Sequence, residues 1–214
     1  MRNVVQTYLS YPPSNKTDNA VLFITDIYGI STLSSKLLAD SIAASGYFVV
    51  MPDIFANDIP VENQPLDYAT WGPKHPPSVA DGIITKTIAA MRGEYGVKKI
   101  GATGYCYGAR YVVRFMAQDK GVDAAFVAHP TMLEGSEISA VFGPLSIAAA
   151  GRSISFPSLL YYRTLISLLR SRRAIQRYEA TRERGYFTAE RCPLPNDAVL
   201  GNRAWFRSER GYER

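Results

Sequence analysis

The sequence predicts an α/β fold built on a doubly wound, mostly parallel sheet. Three observations carry that prediction. Short continuous apolar runs, such as Ala20-Val21-Leu22-Phe23-Ile24 and Tyr47-Phe48-Val49-Val50-Met51, have the composition of strands buried on both faces. Segments with apolar residues at helical spacing lie between such runs, so strand and helix alternate along the chain. The stretch Gly104-Tyr105-Cys106-Tyr107-Gly108 then joins one of the runs to one of the segments through a sharp turn. At 214 residues the chain can bury one sizeable core, and its length argues for one domain rather than two.

Taken in order, Val4 to Leu9 reads as a first strand that stops at Tyr11-Pro12-Pro13-Ser14-Asn15, a turn sequence. The Ala20–Ile24 strand follows and ends at Thr25-Asp26-Ile27-Tyr28-Gly29. From Ser34 to Ser45, Leu37, Leu38, Ile42 and Ala43 mark a helix face, and Gly46 closes it. The Tyr47–Met51 strand ends at Pro52-Asp53. Ile54 to Pro77 is a long excursion with prolines and acids and no periodicity, and a substrate-side cap fits it. Trp71 and His75 lie within it, and a lone histidine beside two prolines reads first as structural. Val79 to Tyr95 is a helix with Ile83, Ile84, Thr87, Ile88 and Met91 on one side. Lys98 to Thr103 is a strand, Ala109 to Gln118 a helix, and Val122 to Ala128 and Pro144 to Ala150 two further strands. In such a sheet the reacting groups stand beyond the strand C-termini, where Asp26, Cys106 and His129 all fall.

The pentapeptide has the Gly-x-nucleophile-x-Gly form of a nucleophile elbow, with cysteine at its centre. The residue between the glycines sits in a strained turn, and the glycines let strand and helix backbones pass closely. At a helix N-terminus, unpaired N–H groups and the macrodipole favour thiolate over thiol. Cys106 is therefore a candidate nucleophile, the alternative being a small buried cysteine in a glycine-rich turn.

Composition narrows the class. The N-terminus lacks the apolar core of a secretory signal, and no apolar run approaches the roughly 20 residues of a membrane helix. Cys106 and Cys192 are the only cysteines, so no disulfide framework is indicated and a cytoplasmic, reducing setting is expected. The net charge of +5 is unevenly spread. Residues 1–150 hold 7 Lys and 4 Arg against 13 acids, whereas residues 151–214 hold 13 Arg, no Lys and 6 acids. No metal ligand spacing occurs, so neither metal nor cofactor is expected.

Five stretches together resemble the dienelactone hydrolase branch of the α/β-hydrolases: Phe23-Ile24-Thr25-Asp26-Ile27-Tyr28-Gly29, Gly46 to Asp53, Gly104-Tyr105-Cys106-Tyr107-Gly108-Ala109, Ala128-His129-Pro130, and Gly143 to Ala150. They span residues about 4 to 150. The resemblance implies that Cys106 attacks the carbonyl of a small lactone or ester. It also implies that the backbone N–H groups of Ile27 and Tyr107 form the oxyanion hole, each donor supplying about 3–4 kcal/mol to the transition state. Asp26 stands where the family carries an acid that contacts the resting thiol; a cap on the Ser31–Ser45 helix region or a solvated loop acid is its other reading. The family completes its triad with an acid after the last of these strands and a histidine further on. Here no Asp or Glu follows Ala150 until Glu179, and no histidine follows His129. His129 is the candidate base that remains, although a structural role fits its Ala-His-Pro setting too.

The change in composition at Ala150 sets residues 151–214 apart from the 1–150 core as an Arg-rich C-terminal segment. Ser158 to Arg184 has a loose apolar stripe of helical spacing crossed by an arginine run. It reads as a basic helix for nucleic acid or a membrane surface, as a diverged terminus that packs on the sheet, or as a shifted reading frame. The last is favoured, because the composition break coincides with loss of the family pattern. Translating the coding DNA beyond that codon in the other two frames checks it: an Asp soon after the strand and a later His-Gly-Phe-like segment are expected. The expected partner is a small lactone or ester, with no membrane and no nucleic acid. A catalytically impaired scaffold that keeps the fold is the alternative.

Overall fold

A computed structural model describes residues 5–61 and 64–148. Among the described residues six strands form one sheet: β1 (Thr7–Ser10), β2 (Asn19–Ile24), β3 (Phe48–Pro52), β4 (Lys99–Tyr105), β5 (Ala124–Ala128) and β6 (Leu145–Ala148). Their order is β1-β3-β2-β4-β5-β6. β1 runs antiparallel to β3, and every other pairing is parallel. Among the described residues this is the doubly wound, mostly parallel sheet expected of an α/β-hydrolase fold. The first strand starts at Thr7, later than the apolar pattern from Val4 suggested.

Helices cover both faces. On one face α3 (Pro77–Gly93) buries Ala80, Ile84, Thr87, Ile88 and Met91, close to the stripe read from the sequence. Pro77 sits in its first turn, where a missing N–H costs nothing. α4 (Tyr107–Phe115) packs on the same side, with Ala109, Tyr111, Val112 and Val113 in the core. On the other face, α1 (Leu33–Ala44) meets Phe23, Val49 and Met51. Here the expected helix face holds at Ile42 and Ala43 and is corrected at its leucines. Leu37 is 59% exposed and Leu38 38% exposed, whereas Ala39 and Ala43 are buried. Small side chains let this helix approach the sheet closely, and the leucines turn outward.

The 54–77 excursion is ordered by local hydrogen bonds that hydropathy does not reveal. Asp53, buried at the end of β3, accepts from the N–H groups of Phe55 (2.9 Å) and Asn57 (2.6 Å). It thereby holds Ala56 and Asn57 in left-handed conformations. A short helix, α2 (Tyr68–Trp71), then begins at Asp67, whose side chain accepts from the Ala69 N–H. Trp71 is buried and donates from Nε1 to the Asp58 carbonyl at 2.9 Å. A second short helix, α5 (Gly135–Ser139), opens with a capping box between Glu134 and Glu137. The Arg-rich segment 151–214, the helix expected over 158–184 and the last two residues expected in the final strand lie outside the described residues.

Candidate active site

The site is assembled where β2, β4 and β5 end side by side. Phe23 and Ile24 of β2 pair with Thr103 and Gly104 of β4, and Tyr105 pairs with Ala128 of β5. Asp26, Cys106 and His129 therefore emerge at one sheet edge, as the alternation of strands and helices predicted.

Cys106 occupies the strand-to-helix turn with φ 51° and ψ −111°, a left-handed conformation rare for a side-chain-bearing residue. The flanking glycines explain how the turn closes. A Cβ on Gly104 would stand 2.7 Å from Val112 Cγ2 and 2.9 Å from Ala109 Cα, and one on Gly108 would fall on the carbonyl oxygens of Ile24 and Thr25. The backbone is clamped from β5: the Cys106 N–H donates to the Ala128 carbonyl (3.1 Å), and the Cys106 carbonyl accepts from the Thr131 N–H (3.2 Å).

The thiol is half-buried and free. Burial pushes it above its ordinary pKa; hydrogen bonds with the Tyr107 N–H and the Thr131 hydroxyl act in the opposite direction, and the Asp26 carboxylate adds to the rise. The helix N-terminus expected to favour thiolate is thus present in the Tyr107 N–H, but desolvation outweighs it. Thr131 was missed by sequence reasoning. Its only signal is its place two residues after His129 on the same loop.

Thr32 stands at the start of α1, so Asp26 does not cap that helix and binds within its own loop instead. Its Oδ1 accepts from the Tyr28 N–H (2.9 Å) and its carbonyl from the Gly29 N–H (3.2 Å), so it folds the loop that carries Ile27. It is also close enough to Cys106 to oppose the thiolate. His129 directly follows β5 at the same edge. It is exposed, and its backbone adopts φ 37°. Among the described residues its ring packs against Tyr105, with centroids 6.5 Å apart, and makes no hydrogen bond to the sulfur.

His75 has the structural role expected of it. Buried and stacked on Trp71 with centroids 4.0 Å apart, it places Nδ1 3.0 Å from the Trp71 carbonyl. A carbonyl only accepts, so Nδ1 carries the proton. The Tyr111 hydroxyl donates to the Tyr107 hydroxyl (2.9 Å), which donates to the His75 carbonyl (3.2 Å), tying α4 to the excursion. Together these elements line an open cavity of about 260 Å³, with Tyr68, Gly72, His75, Tyr107, Arg110 and Met132 in its wall. Arg110 there is already matched. Its Nε donates to both Glu137 oxygens at 2.9 and 3.1 Å, and its Nη2 donates to Glu134. Among the described residues no three ligating side chains gather as for a metal, and no helix is long and apolar enough to cross a membrane.

The family profile described as the dienelactone hydrolase family matches residues 5–166. The chain belongs to the dienelactone hydrolase family. The match runs past the composition break at Ala150, further than the motif-bearing stretches reach. Hydrolase pyvD of Aspergillus violaceofuscus is 46% identical over 155 residues, covering 72% of this chain and 63% of that protein. Hydrolase tropI of Talaromyces stipitatus is 40% identical over 164 residues, covering 72% and 64%. The chain thus spans less than two thirds of the length of either relative. Among solved structures, the dienelactone hydrolase of Anabaena variabilis superimposes with a TM-score of 0.57 at 15% identity, covering 79% of this chain and 74% of that one. At that identity the likeness speaks for the fold, and it is the dienelactone hydrolase fold.

Proposed function

We propose that this protein hydrolyses small lactones or esters with Cys106 as nucleophile. The observation that carries the reading is the left-handed backbone of Cys106 at the N-terminus of α4, in a chain of the dienelactone hydrolase family. The sulfur attacks the substrate carbonyl and forms a C–S bond. The Ile27 and Tyr107 N–H groups receive the oxyanion. The C–O bond then breaks and the departing oxygen takes the proton that the thiol gave up; water adds to the thioester, the C–S bond breaks, and a proton from that water returns to the sulfur. Asp26 shapes the oxyanion loop and keeps the resting sulfur protonated. A small-molecule substrate enters beside Tyr68 and Met132, in a cytoplasmic setting and without nucleic acid or membrane.

The second reading is an impaired enzyme that keeps the fold. The position of His129 favours it, since the imidazole packs on Tyr105 and makes no hydrogen bond to Cys106 among the described residues. Turnover of an activated ester by the full chain, beside Cys106→Ala and His129→Ala, tests both. Loss in Cys106→Ala with His129→Ala unaffected supports the thiol and removes the histidine. Equal rates in all three remove the nucleophile.

A further inference from the structure

We infer that the cavity walled by Tyr68, Tyr107 and Met132 receives an uncharged aryl group of the substrate and turns a carboxylate away. The inference rests on the reading of the protein as an ester or lactone hydrolase and names the class of substrate that its site accepts. Position is the first support. Tyr107 directly follows Cys106, and Met132 directly follows Thr131, whose N–H donates to the Cys106 carbonyl. Two parts of the wall therefore come from the segments that flank the nucleophile. Tyr68 adds a third from α2. Burial raises its phenol above the ordinary pKa, and Tyr107 and a Cys106 thiolate add to the rise, which sets this ring near the elbow.

The surface suits a flat apolar ring. The Tyr68 ring lies against Gly72, where a Cβ would stand 3.0 Å from its Cε1, and its hydroxyl donates to the Met132 sulfur at 3.1 Å. So held, the ring still leaves Tyr68 45% exposed beside the cavity. Rings prefer offset or edge contact with another ring, and a thioether sulfur adds contacts at a ring edge. The volume of about 260 Å³ exceeds the ~150 Å³ in which an apolar cavity holds benzene, so one substituted ring fits.

Charge decides against an acid. Among the described residues Arg110 and His75 are the side chains of this wall that can be cationic, and each already faces a carboxylate. Arg110 gives Nε to Glu137 and Nη2 to Glu134. Arg114 shares Glu137 and pairs with Asp81, so two arginines stand among three carboxylates and the cluster is net negative. His75 keeps Nδ1 on the Trp71 carbonyl and has Nε2 3.7 Å from the Asp58 carboxylate. A carboxylate entering here loses water, gains no unmatched cation and meets the field of these acids. A neutral ring meets none of those costs.

The test uses trifluoroethyl esters of phenylacetic acid whose ring bears, at the para position, either a carboxamide or a carboxylate of the same shape. With the full chain, kcat/KM is expected to be about tenfold higher for the carboxamide. Glu134→Gln keeps an acceptor oxygen for the cap of α5 while removing one negative charge, so it is expected to narrow that ratio several-fold. A ratio near one in wild type overturns the inference, as does an unchanged ratio in Glu134→Gln. Binding is read separately by calorimetry on full-length Cys106→Ala with para-toluamide and para-toluate. The toluamide is expected to bind more tightly, and Tyr68→Ala in the same background to weaken it. Equal binding of the two, no binding of the toluamide, or indifference to Tyr68→Ala overturns the inference. If the toluamide is preferred but neither ester is turned over, the hydrolase reading fails and the preference of the cavity stands. If both esters are turned over equally, the hydrolase reading stands and the inference falls.

Discussion

The Tyr68 hydroxyl donates to the sulfur of Met132 at 3.1 Å, across 64 residues of sequence. This contact bridges the 54–77 excursion and the loop that follows β5, and both residues line the cavity that Tyr107 and Arg110 share. Both side chains are substantially exposed, at 45% and 43%. Loss of the bond in Tyr68→Phe should therefore change stability by no more than about 0.5 kcal/mol. If the excursion acts as a cap, the variant should raise KM for an activated ester several-fold with little change in kcat. Steady-state kinetics beside a urea melt separate the two effects.

Gly108 faces the tightest approach in the fold. Any Cβ there meets the carbonyl oxygens of Ile24 and Thr25, which are backbone and cannot rotate away. Gly108→Ala should cost about 3 kcal/mol, at the upper end for overpacking, as α4 is pushed off β2. Gly82, with open space around its Cβ position in α3, is the control. Gly82→Ala should be neutral or stabilising by up to about 1 kcal/mol. Urea denaturation of the two variants against wild type measures the contrast.

How far the sequence revealed this site depends on which forces act. Continuous apolar runs located β2 and β3, because a strand buried on both faces must be apolar throughout; β5 was expected to be buried too, but Phe126 is exposed there. The elbow was legible because its glycines answer a steric demand that no other residue meets. The buried face of α1 was read correctly at Ile42 and Ala43 and misread at Leu37 and Leu38, because close packing selected Ala39 instead and hydropathy ranks them the other way. α2 escaped notice because one helical turn has no period; Asp67 and Trp71 specify it through single hydrogen bonds. The bond from the Thr131 N–H to the Cys106 carbonyl could not be found because it depends on a loop whose left-handed residues, His129 and Met132, carry no composition cue.

Glu137 anchors two arginines on α4. It accepts from Arg110 and Arg114 while almost wholly buried. Burial works against its charge, but the bonds from Arg110, the Glu134 N–H and Arg114 outweigh it, and its pKa lies below the ordinary 4.5. A carboxylate depressed on folding contributes stability that is complete above its unfolded pKa and disappears as pH falls through the lower folded value. Glu137→Gln should cost about 2–3 kcal/mol at pH 7. The gap between variant and wild type should close once pH drops below the ordinary glutamate range. Urea midpoints recorded from pH 7 down to pH 3 follow it.

Thr25 precedes the oxyanion loop and is 1% exposed, and its Oγ1 has no hydrogen-bond partner among the described residues. A buried hydroxyl left unsatisfied costs about 1–3 kcal/mol, whereas an isosteric methyl costs nothing there. Thr25→Val should therefore stabilise the protein by about 1 kcal/mol, read as a higher thermal midpoint. A fall in the midpoint would mean that the hydroxyl has a partner after all.

Asp26→Asn isolates charge from shape beside the sulfur. The amide oxygen of asparagine can keep the bond from the Tyr28 N–H, so the turn that carries Ile27 survives. What the variant removes is a negative charge that, after burial, helps hold the Cys106 thiol above its ordinary pKa. Without that charge the thiolate is less disfavoured, and the inflection of the Cys106 alkylation profile should move to lower pH. At pH 7 alkylation should be faster than in wild type. Asp26→Ala should show the same gain in thiolate together with loss of stability from the broken turn, about 1 kcal/mol. If Asp26→Asn leaves the profile where it is, the carboxylate acts on the loop alone and the resting thiol is protonated by burial without its help.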